Sequence, residues 1–111
     1  MELKRIEDMK GGWFVGDFSP SAFRTKSFEA GYKLHPKGEV WDAHYHKEIT
    51  EVNFLLRGRM LIQGKELRDG DIFTLYPNEI ADPVFLEDCE VFVIKMPSIV
   101  GDKYLLKDEV K

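Results

Sequence analysis

Apolar positions along the chain fall in short blocks rather than in helical stripes. Runs rich in Val, Ile, Phe, Tyr and Thr occupy residues 27–35, 49–56, 59–63, 71–75 and 89–96. Turn-forming groups separate them: Pro36-Lys37-Gly38, Arg57-Gly58, Gln63-Gly64-Lys65, Asp69-Gly70, Pro77-Asn78 and Asp82-Pro83. Many short strands at this spacing predict an all-β sandwich or barrel. Only the ends have helical character. Leu3, Ile6 and Met9 lie three apart, and residues 103–111 are charged and free of glycine, but neither stretch is long enough for a stable helix.

Two of the runs do not alternate. Val52 to Leu56 and Val91 to Ile94 place apolar side chains on both faces of a strand. A strand with one wet face alternates, so an unbroken run implies that its second face is also covered. For a short chain the simplest cover is a second subunit, which predicts a homodimer. The rival is that the chain's own end segments fold over that face.

The chain has 111 residues, 43% of them hydrophobic and 32% charged, which fits one globular domain over 1–111 with a barrel core at about 27–96. A net charge of −4 argues against sequence-independent nucleic-acid binding, which needs a cationic excess. No apolar run approaches the roughly 20 residues of a membrane span. The start, MELKRIEDMKGG, lacks the apolar centre of a secretory signal, so the expectation is a cytoplasmic protein. Cys89 is the single cysteine, which excludes an intramolecular disulfide and a cysteine-rich zinc site and reads as a small buried residue. Seven acids and no Lys or Arg lie between Asp69 and Glu90. These read as solvated turns and strand edges, the sharper alternative being carboxylates gathered near a cation.

All three histidines lie between residues 35 and 46. His44 and His46 are one residue apart, so an extended backbone points both imidazoles to one face. Two imidazoles on one face are half of a transition-metal site. If the run after them is a strand, Glu51, Asn53 and Leu55 share a face. A carboxylate facing an interior needs charge compensation, which a divalent cation supplies directly.

Residues 38–58 read GEVWDAHYHKEITEVNFLLRG: Gly38, five residues, His44, one residue, His46, four residues, Glu51, six residues, Gly58. This resembles the first signature motif of the cupin superfamily, matched at all five fixed positions without a gap. The resemblance implies a small double-stranded β-helix, or jelly roll, with a metal held inside by His44, His46 and Glu51 and with Gly38 and Gly58 in turns of positive φ. The second cupin motif, Gly, five residues, Pro, one residue, Gly, two residues, His, is degenerate. Counted without a gap from Gly70, its Pro position is Tyr76, its second Gly is Asn78 and its His is Ala81. A one-residue shift anchors Pro77, puts Glu79 at the Gly position and offers Asp82 as a fourth ligand. The gap-free register is the preferred one, and Asp82 remains the alternative.

The neighbours have plainer readings. His35 reads as a turn histidine, Asn53 as a core amide or a ligand contact, and Trp41 and Tyr45 as packing. Lys95 shares a face with Val91 and Val93 and either reaches out at the rim, the preferred reading, or places a cation in the pocket. Two histidines and one carboxylate suit Fe, Mn, Ni or Zn and leave coordination positions open. The resemblance leaves three classes: an enzyme acting on a small oxygen-rich molecule (a dioxygenase, or a sugar or sugar-acid isomerase, epimerase or lyase), a non-catalytic cupin that binds a small molecule or metal, and a relic with an empty site. Fold alone does not choose among them.

Overall fold

The computed structural model describes residues 1–109. Val110 and Lys111, the end of the charged C-terminal run, lie outside the described residues. The strands are β1 (Trp13–Gly16), β2 (Phe23–Arg24), β3 (Glu29–His35), β4 (His44–Tyr45), β5 (Thr50–Arg57) and β6 (Arg59–Ile62). They continue as β7 (Lys65–Arg68), β8 (Ile72–Leu75), β9 (Val84–Phe85), β10 (Cys89–Met96) and β11 (Tyr104–Leu105). The five apolar runs of the sequence thus become β3, β5, β6, β8 and β10. The ends contain only short 3-10 turns, at Ile6–Asp8, Lys10–Gly12 and Leu106–Glu109.

One layer is a six-stranded sheet in the order β2-β1-β3-β10-β5-β8. The facing layer is made of two smaller sheets, β7-β6-β9 and β11-β4. Single bridges, Val40 with Val84 and His44 with Ala81, stitch these two together, so the hydrogen bonding does not close into one continuous barrel. Leu55, Met60, Ile62, Leu75, Phe85, Cys89, Val91 and Val93 fill the space between the layers. Burying each larger aliphatic or aromatic side chain here contributes about 2 kcal/mol. Cys89 is buried among them, as its type suggested.

The turn glycines of the first motif stand where the motif requires them. Gly58, between β5 and β6, has φ 109°, and a Cβ there would lie 2.5 Å from the Asp88 carbonyl oxygen. Gly38 has φ 87°. The acid-rich stretch serves the turns. Asp69 accepts the Gly58 N–H at 2.7 Å, Asp71 the Arg68 N–H at 2.8 Å, Asp82 the Gln63 N–H at 2.8 Å and Asp88 the Lys37 N–H at 2.8 Å. Each carboxylate satisfies a backbone donor that the strand ladder leaves over.

The outer face of the six-stranded sheet is apolar and largely uncovered. Leu34, Phe54, Leu56 and Ile72 are exposed along it. Phe14 of β1 sets its ring edge-on against Phe92 of β10, at 5.9 Å between ring centres.

Candidate metal and ligand site

His44 lies on β4, and its backbone exchanges two hydrogen bonds with Ala81, of 2.9 and 2.7 Å. His46 follows on the same face, and both imidazoles are buried in the interior with ring centres 5.8 Å apart. Each ring is fixed by a backbone carbonyl. His44 Nδ1 lies 3.0 Å from the Asp42 oxygen, and His46 Nδ1 bonds to the Asp102 oxygen. A carbonyl only accepts, so Nδ1 carries the proton in both rings and Nε2 is the atom left for a ligand. Burial pushes the His44 pKa down, against the pull of the Asp42 carbonyl, and the Lys103 charge adds to the lowering, which favours neutral imidazole.

Glu51 enters from β5. Its Oε1 lies 3.4 Å from His46 Nε2 and 3.8 Å from Lys95 Nζ, and its Oε2 accepts the Asn53 side-chain N–H at 2.9 Å. Burial alone would raise this carboxyl, but the contacts with His46, Lys95 and Asn53 outweigh it and hold the pKa at about 2. A buried carboxylate oxygen facing an imidazole nitrogen needs a cation beside it, which Lys95 supplies here and which a metal ion would supply in its place.

These groups open onto a cavity of about 220 Å³ between the layers. Trp13 and Trp41 form part of its wall, with Lys33, Lys95 and Lys103. Trp13 lies flat over β3 because residue 31 is glycine: a Cβ at Gly31 would stand 2.6 Å from the indole. Lys33 and Lys95 flank that indole, with Nζ 5.4 and 4.8 Å from its centre. Lys103 Nζ stands 4.5 Å from the centre of Trp41.

Of the residues singled out in the sequence, His44, His46, Glu51, Asn53, Trp41 and Lys95 all line this cavity. Lys95 therefore points inward and does not reach out at the rim, because its ammonium meets the Glu51 carboxylate across the β10–β5 pair. His35 also lines the cavity, stacked on Phe85 at 4.1 Å between ring centres and bonded to Glu39 at 2.8 Å. Tyr45 turns away, stacking on Tyr104. Ala81 is buried in the cavity wall opposite His44, while Asp82 and Glu79 are exposed. Asn78 adopts the left-handed conformation, φ 72°, that the gap-free register requires.

The donors fit a divalent ion in kind, being two imidazole Nε2 atoms and a carboxylate. Yet among the described residues no group of three or more His, Cys, Asp or Glu side chains is already arranged to hold a metal ion. Glu51 instead shares its charge with Lys95 and Asn53.

Sequence reasoning missed Trp13, Lys33, Lys103 and above all Asp102. The buried Asp102 carboxylate accepts the backbone N–H groups of Lys47, Glu48 and Ile49, each at 3.0 Å. Its own carbonyl fixes His46. One residue thus holds the loop after the histidines and sets the direction of one imidazole.

No family model matches the chain. In three dimensions it is similar to the DMSP lyase DddQ of Ruegeria pomeroyi, with a TM-score of 0.69 and 17% identity over 89% of this chain and 52% of that one. It is also similar to a cupin protein of Bacteroides fragilis, with a TM-score of 0.55 and 21% identity over 78% of this chain and 80% of that one. The chain has the cupin fold. In sequence the chain resembles the XylDLEGF operon transcriptional activator 3 of Pseudomonas putida, 35% identical over 63 residues. That match spans 53% of this chain and 18% of the activator. No helix among the described residues is long and apolar enough to cross a membrane.

Proposed function

We propose that this cupin holds a divalent transition metal on His44, His46 and Glu51 and uses it on a small oxygen-rich molecule. The observation that carries the reading is the fixing of both Nδ1 atoms by backbone carbonyls, which leaves both Nε2 atoms for a ligand in a cavity where the Glu51 carboxylate lies 3.4 Å from that of His46. A bound Fe, Mn, Ni or Zn ion would supply Lewis acidity and a template for a chelating ligand. The protein's own groups would do the rest. Asp102 and Asp42 orient the imidazoles, Asn53 steadies the carboxylate, and the two tryptophans form part of the cavity wall. Two ligand classes of reaction fit, dioxygenation and sugar-type isomerisation, epimerisation or elimination. The likeness in shape to a lyase supports an enzyme but does not choose the reaction.

A second reading is a non-catalytic cupin that binds a small molecule. The sequence likeness to a transcriptional activator favours it. Elemental analysis of protein purified without added metal or chelator tests the metal reading. One divalent ion per chain is expected, lost in the His44→Ala/His46→Ala variant. Unchanged metal content in that variant would refute the assignment, and turnover assays on metal-loaded protein then separate enzyme from binding module.

A further inference from the structure

The cavity wall carries a charge imbalance that the metal reading does not use. Lys33, Lys95 and Lys103 line it, against the single carboxylate of Glu51 among the described residues. Counting its lysines and Glu51, the wall has an excess of two positive charges in a chain whose net charge is −4. Lys95 is matched by Glu51. Lys33 donates to the Gly11 carbonyl, a neutral acceptor. Lys103 has no carboxylate within ion-pair distance among the described residues.

Gathering ammonium groups in a half-desolvated wall is unfavourable in itself. Burial and the neighbouring Lys95 charge lower the pKa of both Lys33 and Lys103. The indoles of Trp13 and Trp41 offset part of that cost through their ring faces. A bound anion would offset more, since low-dielectric walls lined by one sign of charge concentrate the opposite sign. Deeper in, the lining turns apolar, with Met60, Phe73, Leu75, Val91 and Val93.

We infer that the ligand of this cavity is a small carboxylate with an apolar body, its carboxylate set among Lys33, Lys95 and Lys103 and its body against the apolar lining. The inference names the ligand class of the same cavity and rests on the proposed reading only for the cavity's role. It does not need the metal. The lysines come from three separate elements, β3, β10 and the segment before β11, so their convergence is a property of the fold and not of one basic run.

The test uses two probes of matched shape, cyclohexanecarboxylate and cyclohexanecarboxamide. Binding is read from the indole N–H resonances of Trp13 and Trp41, in metal-stripped and in metal-loaded protein. The carboxylate should bind the metal-stripped protein at least about tenfold more tightly than the amide. The variant Lys33→Gln/Lys103→Gln, its fold checked by thermal melting, should lose most of that preference, the carboxylate weakening far more than the amide. Lys103→Glu alone should weaken the carboxylate further than Lys103→Gln does. Equal affinity for the two probes, or no binding of either, overturns the inference. So does carboxylate binding that requires metal and ignores the lysine variants, a result that would leave the metal reading standing. A carboxylate preference that persists in a protein that takes up no metal would do the reverse.

Discussion

Lys95 and Glu51 face each other directly across the β10–β5 pair, with Nζ 3.8 Å from Oε1, inside the same cavity as the two histidines. The carboxylate therefore has a built-in cation that any incoming metal must displace or share. Removing the ammonium should favour the metal. Lys95→Met is expected to tighten divalent-metal binding by about tenfold, the scale of one charge repulsion at a partly buried site. Competition against a fluorescent chelator measures it, and weaker binding in Lys95→Met would show that the lysine supports the metal instead of opposing it.

Asp82 and Glu51 should behave differently. Asp82 is exposed and accepts the Gln63 N–H, so Asp82→Ala should cost about 1 kcal/mol of folding stability and change metal affinity by less than about tenfold. Glu51→Ala should weaken metal binding far more. The same chelator titration checks both, and a loss of metal in Asp82→Ala equal to that in Glu51→Ala would mean a four-ligand site.

Asp102 gives a pH signature. Burial would raise its carboxyl, but the N–H groups of Glu48, Lys47 and Ile49 outweigh that and hold its pKa below the usual aspartate range. A carboxyl depressed in the folded state contributes stability that is complete above the unfolded value and is lost as pH falls through the folded one. The wild type should therefore lose stability below about pH 4, and Asp102→Asn should be less stable at neutral pH with a flatter acid limb. Urea midpoints between acidic and neutral pH measure this. Parallel acid limbs for the two proteins would remove Asp102 from its stapling role.

The outer face predicts self-association. Phe54 and Ile72 are paired across β5 and β8 and are exposed beside Leu34 and Leu56. Two such faces packed together would bury the apolar runs on both sides of β5 and β10, as the sequence required. Sedimentation should show a dimer at micromolar concentration that Phe54→Lys converts to a monomer with little change in thermal stability per chain. A monomeric wild type would leave the face to another partner.

The parts of this structure legible in the sequence are those that repeat with a period or a spacing. The runs that became β3, β5 and β10 announced themselves by composition, and the alternate placement of His44 and His46 put two imidazoles on one face. Asn78 in place of glycine still gave the left-handed turn, so Ala81 rather than Asp82 arrived opposite His44. β4 and β9 are two residues long and carry no periodic signal. Trp13, Lys33 and Lys103 are single residues in unremarkable surroundings, and only the register of β1 on β3 and the path of the C-terminal segment bring them to the cavity. The Asp102 bond to His46 spans 56 positions, and no local pattern encodes a contact of that range. The sequence shows which face Lys95 shares but not its partner Glu51, so it suggests a rim lysine where the β10–β5 register makes an inward one.

Asp102 and Lys103 are neighbours in the chain and serve opposite sides of the same problem. The first fixes the direction of His46 from behind, and the second sets a charge at the cavity wall against Trp41. A single peptide link joins them, so a residue inserted or deleted there would displace the wall charge and the imidazole anchor relative to each other. Substitution of the Lys103 side chain alone leaves the backbone anchor of His46 in place, so the charge of the wall can change while the aim of the imidazole is kept.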